Sequence, residues 1–195
     1  MLKRFSRRES PTASATQPAG TARTPSLAVV PDIPAAVALA DIGSKIVLQG
    51  YEYWLARRGE HGLPSRSDFD PLVEMPTLCP SMMLKDVQQE PLDFRYRLLG
   101  TKLREHMGAD WKGQWMSQIE FQKAPNPIWR AHAYVAESGM PLFLRPPYVG
   151  PHKDFLHIEA VMLPLAQDHR TVDMIMIFLE FMSIAAKAKK SAEKA

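Results

Sequence analysis

Residues 93–114 read DFRYRLLGTKLREHMGADWKGQ, and this stretch joins a strand pattern directly to short helical turns. Phe94, Tyr96 and Leu98 alternate with arginines, which is the period-two pattern of a half-buried strand. A strand that passes at once into short helices predicts a small α+β domain whose helices enclose a cavity over the sheet.

The helical turn after this strand has its own signals. Gly100 ends the strand, and Thr101 is expected to cap the segment KLREHM. Within that segment Leu103 and Met107 lie four residues apart, on one face of a helix. Gly108 is expected to end the helix, so the element is short.

Upstream, apolar residues recur with helical spacing and predict an N-terminal helix over 35–58. Gly43 and Gly50 lie seven residues apart, so on such a helix they share a face that another backbone can approach. That face is expected either to pack on the domain's own sheet or to contact a second copy of the chain. The interface candidates are Gly43, Ile46, Gly50, Tyr53 and Trp54.

Five segments have strand patterns, at 81–87, 94–99, 141–149, 154–165 and 171–181. The first two are predicted to form an antiparallel hairpin, because Pro91 interrupts the chain between them. The last segment is apolar on both faces, so we expect it to be central and covered on both sides. A longer helix is predicted to begin at Pro127 and to end at Gly139.

Three acidic residues, Asp68, Asp70 and Glu74, lie close together in the proline-rich segment 60–80. The segment has no glycine at a calcium-loop position and no histidine at ligand spacing. We therefore expect these acids to have structural roles, with Ser67 or Asp68 capping a short turn, and we predict no metal site.

The chain is predicted to comprise a disordered leader at 1–34, one domain at 35–182 and a basic tail at 183–195. The leader is either a plain flexible segment or a weak contact for an anionic surface. The net charge of +3 derives from leader and tail, so it is no sign of nucleic-acid binding by the domain. Cys79 is the single cysteine, which excludes an internal disulfide. No stretch reaches the roughly 18 apolar residues of a membrane span, and a cytoplasmic protein is expected.

Three motifs resemble those of a known family, namely LPSRSDFDP at 63–71, FRYRLLGTKL at 94–103 and GADWKGQ at 108–114. With the pair Tyr53 and Trp54, they make the chain from about Trp54 to Glu180 similar to the PAS domain superfamily, and most similar to its proteobacterial single-domain branch. The resemblance implies a five-stranded antiparallel sheet with short helices over one face, here preceded by an N-terminal helix.

The resemblance implies sensing or docking rather than catalysis. The expected protein is a stand-alone PAS sensor or adaptor in bacterial signal transduction, which binds a small apolar ligand, a regulatory partner protein or a second copy of itself. The alternative is a structural dimerisation module with a filled core and no ligand. No enzyme motif and no nucleic-acid motif accompany the pattern, so we predict neither an enzyme nor a nucleic-acid partner.

The cofactor is left open by the sequence. Covalent flavin photochemistry in the family needs a cysteine on a helix near the cup, whereas Cys79 precedes the first strand. Haem-binding members use a histidine on the long helix, where His132 lies, but a lone histidine on a partly apolar face is more typical of a core or surface residue. Both observations argue against those cofactors.

The expected lining of the cup is apolar and aromatic, with the Tyr96 hydroxyl as a polar group. These side chains either surround a ligand or simply fill the core, and the sequence leaves both interpretations open. The pocket candidates are Phe94, Tyr96, Leu98, Leu103, Met107, Trp111, His132, Val135, Leu144, Ile158 and Met174.

Overall fold

The computed structural model describes residues 32–59, 62–146, 148 and 155–183, with side chains from residue 157 onward in the last range. Nearly all of the predicted leader and tail lies outside these residues. Within them, no helix is both long enough and apolar enough to cross a membrane.

One antiparallel sheet forms the centre of the fold. Its strands are β1 Met82–Gln89, β2 Leu92–Leu99, β3 Leu142–Leu144, β4 Phe155–Leu165 and β5 Met174–Ser183. Their order is β2-β1-β5-β4-β3, so β5 is central and pairs with β1 on one side and β4 on the other. The predicted α+β class, the hairpin of the first two strands and the central position of the last strand are confirmed.

Leu98 lies on the other side of the sheet from its predicted position. Beside Lys85 the register between β1 and β2 shifts, and Arg97 is left without a partner residue. This bulge reverses the alternation, so that Leu99 is 8% exposed whereas Leu98 is 36% exposed. The prediction that Leu98 lines the cup together with Tyr96 is wrong for this reason.

The helices are α1 Lys45–Leu55, α2 Pro71–Glu74, α3 Thr101–Met107 and α4 Pro127–Ser138. Single 3-10 turns occur at Leu39–Asp41, Arg66–Asp68, Cys79–Ser81 and Met116–Gln118. α4 begins and ends as predicted, and its last turn closes on Gly139 at a φ of 62°. α3 has Gly100 as its N-cap residue, and Thr101 is already helical rather than the predicted cap.

α1 packs against β4 and β5 on one face of the sheet. Gly50 makes this approach possible, because a Cβ atom there would lie 2.2 Å from Cδ2 of Phe178. The predicted helix at 35–58 is too long at its start, since α1 begins at Lys45 after the N-cap Ser44. Gly43 is therefore outside the helix, and the prediction that it shares a helical face with Gly50 is wrong.

Most of the interface candidates are covered by their own chain. Gly50, Tyr53 and Trp54 are buried, and the indole N–H of Trp54 donates to the Pro164 carbonyl oxygen at 2.9 Å. Gly43 is exposed and Ile46 is half-buried. Of the two expectations for this helix, packing on the domain's own sheet is the one that the structure bears out.

Glu159 of β4 fixes the start of α1. Its Oε2 accepts hydrogen bonds from the backbone N–H groups of Gly43 at 2.8 Å and Ser44 at 2.7 Å. Its Oε1 accepts from the Arg145 guanidinium at 2.9 Å. Burial raises the pKa of this carboxyl, but the two amide bonds and the guanidinium outweigh burial and lower the pKa below its ordinary value. Glu159 is thus an ionised structural anchor.

The acidic residues of the segment before β1 are tied into local structure. Ser65, and not Ser67 or Asp68, is the N-cap of its turn, and its N–H donates to Asp68 at 2.8 Å. Glu74 accepts from the Tyr53 hydroxyl and pairs with Arg57 at 2.5 Å. These partners support the structural roles predicted for Asp68 and Glu74.

Candidate functional site

The cup is the face of the sheet opposite α1, covered by α3, α4 and the 3-10 turn Met116–Gln118. Phe94 of β2 packs against α4 within the cup, because its ring centroid lies 5.2 Å from that of Trp129 and 5.1 Å from that of His132, both on α4. On β5, Ile175 and Ile177 face the cup, since they alternate with Phe178, which contacts α1. The cup is thus enclosed between strand and helix side chains.

Lys85 is a buried lysine on the floor of the cup, with 1% of its surface exposed. Its Nζ lies 3.1 Å from the Met116 sulfur and 4.0 Å from the centroid of the Tyr96 ring. A thioether is a weak hydrogen-bond acceptor, and the ring offers only its π face. Among the described residues Lys85 forms no ion pair. Burial therefore lowers the pKa of Lys85 well below its ordinary value.

Tyr96 stands beside Lys85 on β2 and is fixed at both ends. Its hydroxyl donates to Gln122 Oε1 at 2.7 Å, and its ring meets Trp111 edge-on at a centroid distance of 5.4 Å. Burial raises the pKa of the Tyr96 phenol above its ordinary value, and the hydrogen bond to Gln122 only partly opposes this shift. The hydroxyl is therefore neutral and already satisfied within the chain.

His132 of α4 is the third polar side chain of the cup. Its Nδ1 lies 2.7 Å from the Ile128 carbonyl oxygen, which assigns the proton to Nδ1. Nε2 is then a bare acceptor, and it has no hydrogen-bond partner among the described residues. Burial and the nearby Lys85 lower the pKa of His132 well below its ordinary value, so the ring is neutral.

The sequence-predicted pocket residues divide into three groups. Phe94, Tyr96, Leu103, His132 and Val135 are buried, whereas Met107, Trp111, Leu144 and Ile158 are half-buried. Leu98 lies on the other face. Met174 is also misplaced by the prediction, because it has the alternation of Phe178 and so faces the α1 side.

Three polar or sulfur-bearing residues of the cup, Lys85, Met116 and Gln122, were missed by the sequence prediction. Lys85 lies two residues from Met83 and from Val87, so on a strand it shares a face with these apolar residues, which indicates that its side chain points inward. A lysine in a strand is normally exposed, however, and that expectation masks the signal. Met116 and Gln122 lie in turns, where no periodic pattern exists.

A surface depression of about 420 Å³ lies outside the cup and is lined in part by Asp168 and Asp173. Both carboxylates bind backbone N–H groups of their own loop: Asp173 accepts from Gln167 at 2.8 Å, and Asp168 accepts from Thr171 at 2.7 Å. Because their oxygens are used locally, we assign these acids to the loop structure. Within the described residues, no group of three or more His, Cys, Asp or Glu side chains is placed to hold a metal ion.

The comparison with protein families rests on nearly the whole domain. A family model described as a PAS domain matches residues 44–179, from the N-cap of α1 into β5. The chain belongs to the PAS domain family. Among curated proteins, no match to this PAS domain is found.

Proposed function

We propose that this PAS domain protein is a sensor or adaptor in bacterial signal transduction that acts by binding, without catalysis, and is located in the cytoplasm. Its ligand is a small and largely apolar molecule held in the cup, and its output passes to a regulatory partner protein. No nucleic acid is involved.

The single observation that supports a ligand site is a pair of buried polar groups in the cup, of which Lys85 has only weak partners and His132 Nε2 has none among the described residues. A core that only packs is expected to satisfy or exclude such groups, because an unpaired buried polar atom costs about 1–3 kcal/mol. In the described part of the chain the Lys85 amine contacts a thioether and the face of an aromatic ring, and His132 Nε2 has no described partner. We take these two groups as the candidate contacts of a bound molecule.

A second candidate function is a protein-interaction module without a ligand. Two observations favour it: Phe94, Leu103 and Val135 have no exposed surface, whereas Leu72 and Val73 of α2 are each 76% exposed. An exposed apolar pair of this kind is typical of a contact surface. In this candidate the partner or a second copy would cover α2, while the cup would be a plain core.

Native mass spectrometry with an absorbance spectrum of freshly purified full-length protein separates the two. We expect a fraction of the chains to carry a small molecule that is released on denaturation. An empty chain of dimer mass would instead favour the interaction module. An empty monomer that also gains nothing from added small molecules would contradict ligand sensing.

A further inference from the structure

Lys85 lacks a strong hydrogen-bond acceptor, whereas His132 Nε2 lacks a hydrogen-bond donor among the described residues. The Lys85 amine has N–H groups to donate, and among the described residues its hydrogen-bond partner is the Met116 sulfur at 3.1 Å, with Tyr96 presenting its ring. His132 has the reverse requirement, because its Nδ1 proton is used at Ile128 and its Nε2 lone pair has no described donor. A molecule that both accepts from an amine and brings a proton would satisfy the two together.

The side chains that enclose these two groups are apolar or already satisfied. Tyr96 donates its hydroxyl to Gln122, and β5 presents Ile175 opposite Lys85. Tyr96 from β2 and His132 from α4 are the titratable groups near Lys85 in the described part of the chain, and neither is an acid. The positive charge that Lys85 would carry when protonated therefore has no counter-charge from the described protein.

The geometry points to a small apolar monocarboxylic acid as the ligand of the cup, with its carboxylate on Lys85 Nζ and its hydrocarbon part among the surrounding apolar side chains. This inference rests on the proposed ligand-sensing function and names the chemical class of the ligand. Met116 is the side chain that a carboxylate would displace from Lys85, and an unbranched thioether adapts readily to such a change.

Charge balance makes the binding of this ligand depend on protons. Around neutral pH the acid is an anion in water, and burial lowers the pKa of Lys85 in the empty cup well below its ordinary value. Binding of the anion favours the charged amine, so a chain whose Lys85 is neutral takes up one proton from solution at the Nζ lone pair and forms an ammonium–carboxylate pair. The ammonium then donates an N–H to the carboxylate. The net charge of the cup remains zero, as an enclosed apolar site requires.

Calorimetric titration of the full-length protein with octanoate tests this inference, and 1-octanol serves as the neutral probe of equal length. Titrations at pH 8 in buffers of different ionisation enthalpy are expected to show net proton uptake when octanoate binds, because burial lowers the pKa of Lys85 in the empty cup. Affinity is expected to weaken about tenfold per pH unit above the pKa of the empty site, as one-proton linkage requires.

Lys85→Met keeps the length of the side chain and removes the amine, and the exposed Lys102→Met is the matched control. We expect octanoate affinity to fall at least tenfold in Lys85→Met, with loss of proton uptake, while Lys102→Met behaves as the wild type. Equal affinity in Lys85→Met, absence of proton uptake, or no octanoate binding at millimolar concentration would each overturn the carboxylate inference.

The same data separate this inference from the proposed function. If 1-octanol binds as tightly as octanoate, or if the purified protein retains a molecule that is not an acid, ligand sensing stands and the carboxylate assignment fails. If neither probe binds and the protein retains nothing, both fail. Circular dichroism of Lys85→Met shows whether the variant is folded, and retained binding of 1-octanol shows whether its cup is intact.

Discussion

At the scale of single residues, the burial of Lys85 lowers the stability of the fold and, in our proposal, provides a group that binds a ligand. A buried amine loses hydration, and in this cup the described protein returns only a weak sulfur contact and the face of a ring. Replacement of a buried ion pair by apolar side chains is often neutral or stabilising, by up to about 4 kcal/mol, and we expect the same direction for an unpaired buried lysine. Such a residue is expected where binding, rather than packing, determines the choice of side chain.

Lys85→Met should therefore raise the free energy of unfolding by about 1–4 kcal/mol at pH 7. Because the folded-state pKa of Lys85 is lowered, the unfolded chain binds one proton more between that pKa and about 10.4, and wild-type stability rises with pH there. The gain from Lys85→Met should accordingly shrink as pH approaches 10. Urea unfolding at pH 7, 8.5 and 10 measures this trend, with Lys102→Met as the control.

If the increase in the free energy of unfolding of Lys85→Met stayed constant with pH, Lys85 would have the same pKa in the folded chain as in the unfolded one. A loss of stability in Lys85→Met at pH 7 would show that the amine has a strong partner. Either result would contradict the description of Lys85 as an unpaired buried amine.

How much of the cup can be predicted from sequence depends on the signal behind each residue. Phe94 and Tyr96 follow from strand alternation and are buried as expected. The position of Leu98 does not follow from alternation. Arg97 has no partner in the register with β1, this bulge reverses the alternation, and a bulge depends on how two strands pair. Met174 is misplaced because a strand that is apolar on both faces gives no indication of which face meets the cup.

At the scale of elements, the contact of α1 with the sheet depends on one glycine. Gly50 lies inside a helix, where alanine would normally be better by about 1 kcal/mol. A Cβ atom at this position would, however, lie 2.2 Å from Cδ2 and 2.4 Å from Cγ of the Phe178 ring. These atoms belong to the fixed end of a fully buried side chain on the central strand.

Gly50→Ala is therefore expected to lower the free energy of unfolding by about 1–3 kcal/mol, because overpacking outweighs the gain in helix propensity. The exposed neighbour Gln49→Ala is the matched control and should change stability by no more than about 0.5 kcal/mol. The double variant Gly50→Ala with Phe178→Leu should show coupling that offsets part of the loss. If Gly50→Ala matched Gln49→Ala in chemical denaturation, the close approach of α1 to β5 would be disproved.

The boundaries of α1 show why helix ends are harder to predict than helices. The apolar spacing that predicts a helix is present before Lys45, yet the helix begins only where Ser44 caps it. The position of that cap is set by Glu159, which lies more than a hundred residues later and binds the N–H groups of Gly43 and Ser44. A contact of that sequence separation has no local signal.

At the scale of the whole molecule, the order of the strands predicts which parts of the sheet resist local unfolding most. Residues 174–178 of β5 pair with β1 and β4 at once, whereas the following residues 179–182 pair with β4 alone among the named strands. Amides enclosed on both sides are expected to exchange only when the domain unfolds globally.

Hydrogen exchange of the native protein should therefore show the slowest rates in residues 174–178, with exchange free energies close to that of global unfolding. Residues 179–182 should exchange faster and serve as the comparison within the same strand. Equal rates in the two halves, measured by mass spectrometry or by nuclear magnetic resonance, would mean that β1 does not pair with β5 as described.

The segments beside the two outer strands also limit how this molecule can meet a partner. Along β3, the N–H of Val37 donates to the Phe143 carbonyl oxygen and the N–H of Arg145 donates to the Ala35 carbonyl oxygen. Along β2, Tyr96 exchanges hydrogen bonds with Gln114 and Gly113 in the same way. A partner peptide is thus denied strand addition at these positions. Association with another chain at these positions would therefore depend on side-chain contacts rather than on an extended sheet.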